Sequence, residues 1–147
     1  MRYTESVEDL LPEQLTGFFV GWPSPPPPET HLEILRGSSH VVLAVDEDTE
    51  SVVGFVTAIS DGVLAAYIPL LEVLPAHQGR GIGAELMRRM MEKLKRLYMV
   101  DLVCDESRAA FYAGLGMKPA HAMVARRYDR QSGLLRGARD RDNIEDI

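Results

Sequence analysis

Gln78-Gly79-Arg80-Gly81-Ile82-Gly83 lies between an apolar run and an amphipathic segment, and it fixes what this chain must build. Glycines at three alternate positions leave the backbone without Cβ atoms, free to take positive φ and close on a ligand. Beyond them Ile82, Leu86, Met90, Leu94 and Leu97 recur at helical spacing, with Met87 and Met91 widening the stripe, so a helix is predicted over 81–97. A glycine-rich turn opening a helix aims free N–H groups and the positive end of the helix dipole at one spot. That spot suits an oxyanion, a diphosphate above all. A strand must lead into the turn, and a sheet must lie beneath the helix.

Charge is distributed in the same sense. The 147 residues carry a formal charge of -6, against a nucleic-acid partner, which needs a basic face. Over 78–97, however, Arg80, Arg88, Arg89, Lys93, Lys95 and Arg96 oppose only Glu85 and Glu92, which puts this part at +4 and the remainder at -10. A small polyanion suits that asymmetry, although beyond the first helical turn the charges read simply as a solvated face. The 46% hydrophobic and 26% charged content is that of one globular domain. A single cysteine, Cys104, and four histidines without ligand spacing give no metal site. The first residues lack the apolar core of a signal peptide, and the longest apolar stretch, 63–71, is too short to span a bilayer. The expectation is a cytoplasmic protein with no membrane partner.

Along the chain, Pro12 opens a segment with Leu15, Phe18, Phe19 and Trp22 at helical spacing, ended by Pro23 and a run of four prolines. Thr30 is read as the cap of a short helix with Leu32, Ile34 and Leu35, closed by Gly37. Strands are predicted over 41–45, 52–59 and 64–74 as an antiparallel meander, with Pro69 forcing a bulge or splay in the third. A strand over 98–103 should run parallel to the third, because a helix crosses between them. A helix over 107–115, stopped by Gly116, precedes strand-like segments up to Tyr128. The domain is expected over 1–129, with 130–147 a charged tail, mobile or docked on an edge.

Gly79-Arg80-Gly81-Ile82-Gly83-Ala84 also fits G-x-G-x-x-A, with Asp101 about twenty residues on, the fingerprint of an NAD-dependent oxidoreductase. Two features oppose that reading. Meandering strands, not βαβ units, come first, and Asp101 sits early in its strand. No Gly-Lys-Ser/Thr triplet is present for a phosphate-binding P-loop.

Val73-Leu74-Pro75 before the loop and Phe111-Tyr112-Ala113-Gly114-Leu115-Gly116-Met117 after the next strand make the pattern specific. Over about residues 2–128 the chain resembles the GNAT superfamily of acyl-CoA-dependent N-acetyltransferases, whose Gln/Arg-x-x-Gly-x-Gly/Ala signature is matched by Gln78, Gly81 and Gly83. The order of elements is similar too. Stretches 71–75 and 101–106 look like a bacterial subgroup of unnamed acceptor. The resemblance implies an α/β (α+β) fold with a mixed, mostly antiparallel sheet, helices on both faces and a splay between strands 64–74 and 98–104.

It further implies that acetyl-CoA is the co-substrate. Backbone N–H groups of Gln78, Gly79, Arg80, Gly81, Ile82, Gly83 and Ala84 would hold its diphosphate, with Arg80 adding charge at the rim. The strand at Val73 and Leu74 would pair with the pantetheine arm. Asp105 stands where many relatives place an Asn that contacts this arm. Tyr112 matches the tyrosine that often protonates the departing thiolate; the plain alternative is an aromatic packing the short helix against the loop. Glu72, on the face of Ile68 and Leu70, is a candidate base for the amine, directly or through water, or else a paired structural acid or one pointing to solvent. Phe18, Phe19 and Trp22 with the proline run would wall the acceptor site, or else clamp the core, with Tyr67 and Asp61 as weaker acceptor candidates. The acceptor is an amine on a small molecule or peptide, and the acidic remainder of the chain favours a cationic one. Homodimers are common in the superfamily, but no segment here marks an interface. A coenzyme A-binding regulatory module without catalysis stays open beside the enzyme.

Overall fold

The computed structural model describes residues 1–134. In these, β1 (Arg2–Thr4), α1 (Pro28–Gly37), β2 (His40–Asp46), β3 (Ser51–Ser60), β4 (Ala65–Tyr67), β5 (Leu71–Val73), α2 (Ile82–Lys93), β6 (Met99–Asp101) and α3 (Ala109–Ala113) follow one another. β1, β2, β3, β4 and β6 lie side by side in that order, and β5 also pairs with β3. All neighbours are antiparallel except β4 and β6, which are parallel because α2 crosses before β6. The mixed, mostly antiparallel sheet is thus the expected one. β1 is an addition: three residues give no periodicity, and they form a strand by pairing along β2, Arg2 opposite Val45.

The third predicted strand is divided at the proline. Ile59 faces Tyr67 and Val56 faces Leu71, so three steps along β3 match four on the other side. One extra residue bulges out around Pro69, where the chain has no N–H to give to a ladder. β4 can then turn toward β6 while β5 stays with β3.

Each face of the sheet has its own core. On one face α2 lays Ile82, Leu86, Met87, Met90 and Leu94 over Val42, Ala44, Val56 and Ala58, all buried. On the other, Leu32 and Leu35 of α1 join Leu10, Leu15, Phe18 and Phe19 over Val41, Leu43, Val52 and Phe55. Helices therefore cover both faces, and Met87 and Met90 of α2 serve as core filler, with Met91 partly buried beside them.

Four local expectations are corrected. Residues 12–22 are not a helix: after a 3-10 turn, Pro12–Leu15, the chain takes positive φ at Gly17, Phe19 and Gly21. The apolar spacing was sound, since Leu15, Phe18 and Phe19 are buried, but two glycines let tertiary contacts override local propensity. Thr30 is no cap: α1 begins at Pro28, which has no N–H to lose in the first turn, and Thr30 is buried inside the helix. The helix over 107–115 is a 3-10 turn, Glu106–Arg108, followed by the short α3, with Gly116 at φ +91° beyond it. Residues 117–127 form no strand. That segment is pinned at both ends, by Met117 N–H donating to the Tyr112 carbonyl at 3.2 Å and Ser24 N–H donating to Gln131 Oε1 at 2.8 Å. These ties draw it away from β6, and Pro119 lacks a donor for pairing there. Of the predicted tail, 130–134 docks near Ser24 and Thr30; residues 135–147 lie outside the described residues.

Candidate active site

The split of β4 from β5 opens a cleft. Leu74 N–H donates to the Val53 carbonyl at 2.9 Å and Thr57 N–H to the Leu70 carbonyl at 3.0 Å, with Glu72 facing Phe55 between them. Antiparallel alternation therefore turns the backbone groups of Leu71 and Val73 away from β3, toward β6. They find no strand there. The last bond across is Ile68 N–H to the Asp101 carbonyl at 2.9 Å, and none joins 70–74 to 102–105. Gln78 Nε2 donates to the Val73 carbonyl at 3.0 Å, tying the glycine loop to the strand and leaving the Val73 N–H to the cleft. The space encloses about 850 Å³.

One end of the cleft is the loop and the start of α2. Gly79 and Gly81 sit at φ +77° and +81°, with no protein atom within 4 Å of where a Cβ would stand. The first bond of α2 is Glu85 N–H to the Gly81 carbonyl at 3.1 Å, and no side chain caps the helix. Consequently the N–H groups of residues 79–84 have no acceptor among the described residues. Six donors without a partner adjoin the positive end of a three-turn helix, an arrangement that suits a multiply charged anion.

The other wall carries Tyr112, Cys104, Asp105 and Arg108. Burial raises the Tyr112 phenol above its ordinary value of 10.0; nearby Cys104 adds to this, and Arg108 opposes it. The phenol thus keeps its proton throughout the neutral range. Arg126 enters from the pinned segment 117–127 and completes that wall.

Glu72 lines the cleft on the near side, and both of its oxygens are engaged: Phe19 N–H donates to Oε1 at 2.8 Å and Val20 N–H to Oε2 at 3.3 Å. Phe19 stands at φ +63°, a backbone state that costs a non-glycine residue roughly 1–3 kcal/mol. Glu72 therefore latches the 17–22 loop, whose Val20 and Trp22 face the cleft, against β5. Glu72→Ala is expected to lower unfolding stability by about 2 kcal/mol, the worth of charge-assisted bonds to backbone donors, read by urea denaturation. Amide exchange at Phe19 and Val20 should accelerate in the same variant; unchanged exchange would contradict the latch.

The acetyltransferase (GNAT) family profile matches residues 6–117, most of the chain. The chain belongs to the GNAT acetyltransferase family. Its enzymes are acyltransferases that use acetyl-CoA. A candidate acetyltransferase of Deinococcus radiodurans R1 is 51% identical, covers 91% of this chain and 93% of its own, and superposes with a TM-score of 0.88. A GNAT-family acetyltransferase of Streptococcus pneumoniae TIGR4 is 27% identical, covering 86% of this chain and 96% of its own, with a TM-score of 0.68. Glucosamine-6-phosphate N-acetyltransferase of Arabidopsis thaliana, 16% identical over 87% of this chain and 98% of its own at a TM-score of 0.63, shares the fold. No functionally curated protein matches the sequence.

Within this GNAT enzyme the cleft gathers Glu72, Val73, Gln78, Gly79, Gly81, Ile82, Gly83, Ala84, Asp105, Tyr112 and Trp22. Arg80 and Leu74 are outside its lining, and Phe19 is buried behind it against Trp22 and Phe55. Tyr67 and Asp61 border a separate shallow depression. Asp61 there holds a turn, accepting N–H bonds from Val63, Leu64 and Ala65 that lower its pKa. Arg108 and Arg126 escaped the sequence reading. Neither belongs to a motif, and only the irregular path of 102–105 with the 3-10 turn after it, and the course of 117–127, bring them to the cleft. Among the described residues there is no cluster of three metal-ligating side chains and no helix long and apolar enough to cross a membrane.

Proposed function

We propose that this GNAT enzyme moves an acetyl group from acetyl-CoA to a primary amine by direct attack in a ternary complex. The observation that carries this reading is the run of six acceptorless N–H groups at 79–84 beside the unpaired edge of β5. The first suits a diphosphate. The second suits an arm built of amides, which can add to β5 as a further strand. A nicotinamide dinucleotide would use only the first.

In this reading the Val73 N–H faces the thioester carbonyl and stabilises the oxygen as negative charge develops on it. The amine nitrogen bonds to the carbonyl carbon, the carbon–sulfur bond breaks, and Tyr112 gives its phenol proton to the thiolate. The proton lost by the amine goes to cleft water, with the remaining lone pairs of Glu72 as the next acceptor.

Thermal melting tests donor binding. A ligand present at a hundredfold excess over its dissociation constant stabilises the folded state by about 2.7 kcal/mol, a rise of roughly 5–10 °C for a domain of this size. Acetyl-CoA and coenzyme A should both produce it and NAD should not. Absence of a shift with either coenzyme A species would remove the reading.

A further inference from the structure

Resting on the acetyl-transfer reading, we propose that the amine acceptor carries an anionic group, a carboxylate or a phosphate, and that Arg126 receives it. Arg126 lines the cleft, yet among the described residues its guanidinium bonds only the carbonyl of its own neighbour, Ala125, at 3.2 Å. No carboxylate lies within ion-pair distance of it among the described residues, whereas Arg2, Arg88 and Arg89 each have one.

The exposed segment that carries it is tied near both ends. Five residues on, Gln131 Oε1 accepts the Ser24 N–H, two residues past Trp22 of the cleft rim. Gly133 then presses on α1 so closely that a Cβ there would come within 2.9 Å of Thr30 Cγ2. At the other end Met117 is bonded to Tyr112. Arg126 thus lines the same cleft as Trp22 and as Tyr112, the residue proposed to protonate the thiolate. Of the two carboxylates lining the cleft, Glu72 on the opposite side already binds two backbone N–H groups of the 17–22 loop, and Asp105 shares a wall with Arg108 and Arg126. Two arginines in a cleft where one of the two carboxylates is already engaged by backbone donors give it an attraction for anions. This local arrangement outweighs the acidic remainder of the chain, whose charges are screened over such distances.

The test uses acceptors matched except for the anion: β-alanine against propylamine, L-phenylalanine against phenethylamine, and O-phosphoethanolamine against ethanolamine. Binding is followed by the emission of Trp22, the chain's single tryptophan, in protein saturated with coenzyme A. Turnover is followed by thiol release from acetyl-CoA. At least one anion-bearing member should bind tenfold or more tightly than its partner, and the carboxylate and phosphate arms show which group fits. Arg126→Met should erase that ratio through the KM of the anion-bearing member, with the acetyl-CoA melting shift still present, while Arg126→Lys keeps part of it. Equal or weaker binding of all anion-bearing members, with the acetyl-CoA shift intact, would overturn the proposal and leave acetyl transfer standing. Loss of acetyl-CoA affinity in Arg126→Met, with the difference between coenzyme A and dephospho-coenzyme A narrowed, would overturn it by assigning the guanidinium to the donor. Absence of the acetyl-CoA shift in the unaltered protein would remove the reading beneath it.

Discussion

Tyr112→Phe is expected to lower kcat by about a hundredfold or more while leaving the acetyl-CoA melting shift in place, since a positioned general acid contributes at least that factor. The ring stays, so its packing against Phe111, with centroids 4.9 Å apart, stays with it. What is lost is the hydroxyl proton that burial holds in place through the neutral range. Because that burial raises the phenol pKa, the unaltered enzyme should keep its kcat on the alkaline side up to pH values above 10. Full turnover in the phenylalanine variant would mean that Tyr112 packs α3 and nothing more.

A second large effect concerns stability, not turnover. His31 of α1 is 1% exposed, enclosed by Phe55, Phe19 and Phe18 at ring distances of 4.4, 4.9 and 5.3 Å. Neither ring nitrogen has a hydrogen-bond partner among the described residues, and burial pulls its pKa from 6.5 down to about 4. The unfolded chain therefore binds a proton below pH 6.5 that the folded chain refuses until about 4. Stability is complete above that upper value and falls with pH across the window, by about 3 kcal/mol in all, or roughly 10 °C in Tm. The depressed carboxylates, Glu85 at about 2 and Glu50, Asp61 and Glu92 below their ordinary values, lose their share only in more acid solution. His31→Leu should flatten the melting temperature between pH 4.5 and 6.5. An unchanged slope would place the acid-sensitive group elsewhere. Because Phe18 and Phe19 belong to the cage, the loop that Glu72 latches is the first structure expected to loosen.

Much of this was legible in the amino-acid order because the decisive features are local. Glycine at 79, 81 and 83 before a helical stripe specifies a turn with free donors whatever surrounds it. Pro69 in an apolar run likewise announces the bulge that separates β5 from β6. The face of α2 was readable from its periodicity, and Tyr112 from its place in a dense motif. What stayed hidden depends on partners far along the chain. Residues 15–22 show helical spacing, but their backbone answers to Glu72, more than fifty positions away. Arg126 looks like one charge of an exposed pair until Gln131 is seen bound to Ser24. Glu72 itself read as an acid on an apolar face, and only the loop above it reveals what the carboxylate holds.

In the proposed reaction the cleft joins an acyl donor held at 79–84 to an amine beside Tyr112. Its most direct test is release of free thiol from acetyl-CoA by the unaltered protein across a panel of primary amines. Amine-dependent release well above background, lost in Tyr112→Phe, is the predicted result. Coenzyme binding without amine-dependent release from any acceptor class would contradict catalysis and leave a protein that only senses coenzyme A.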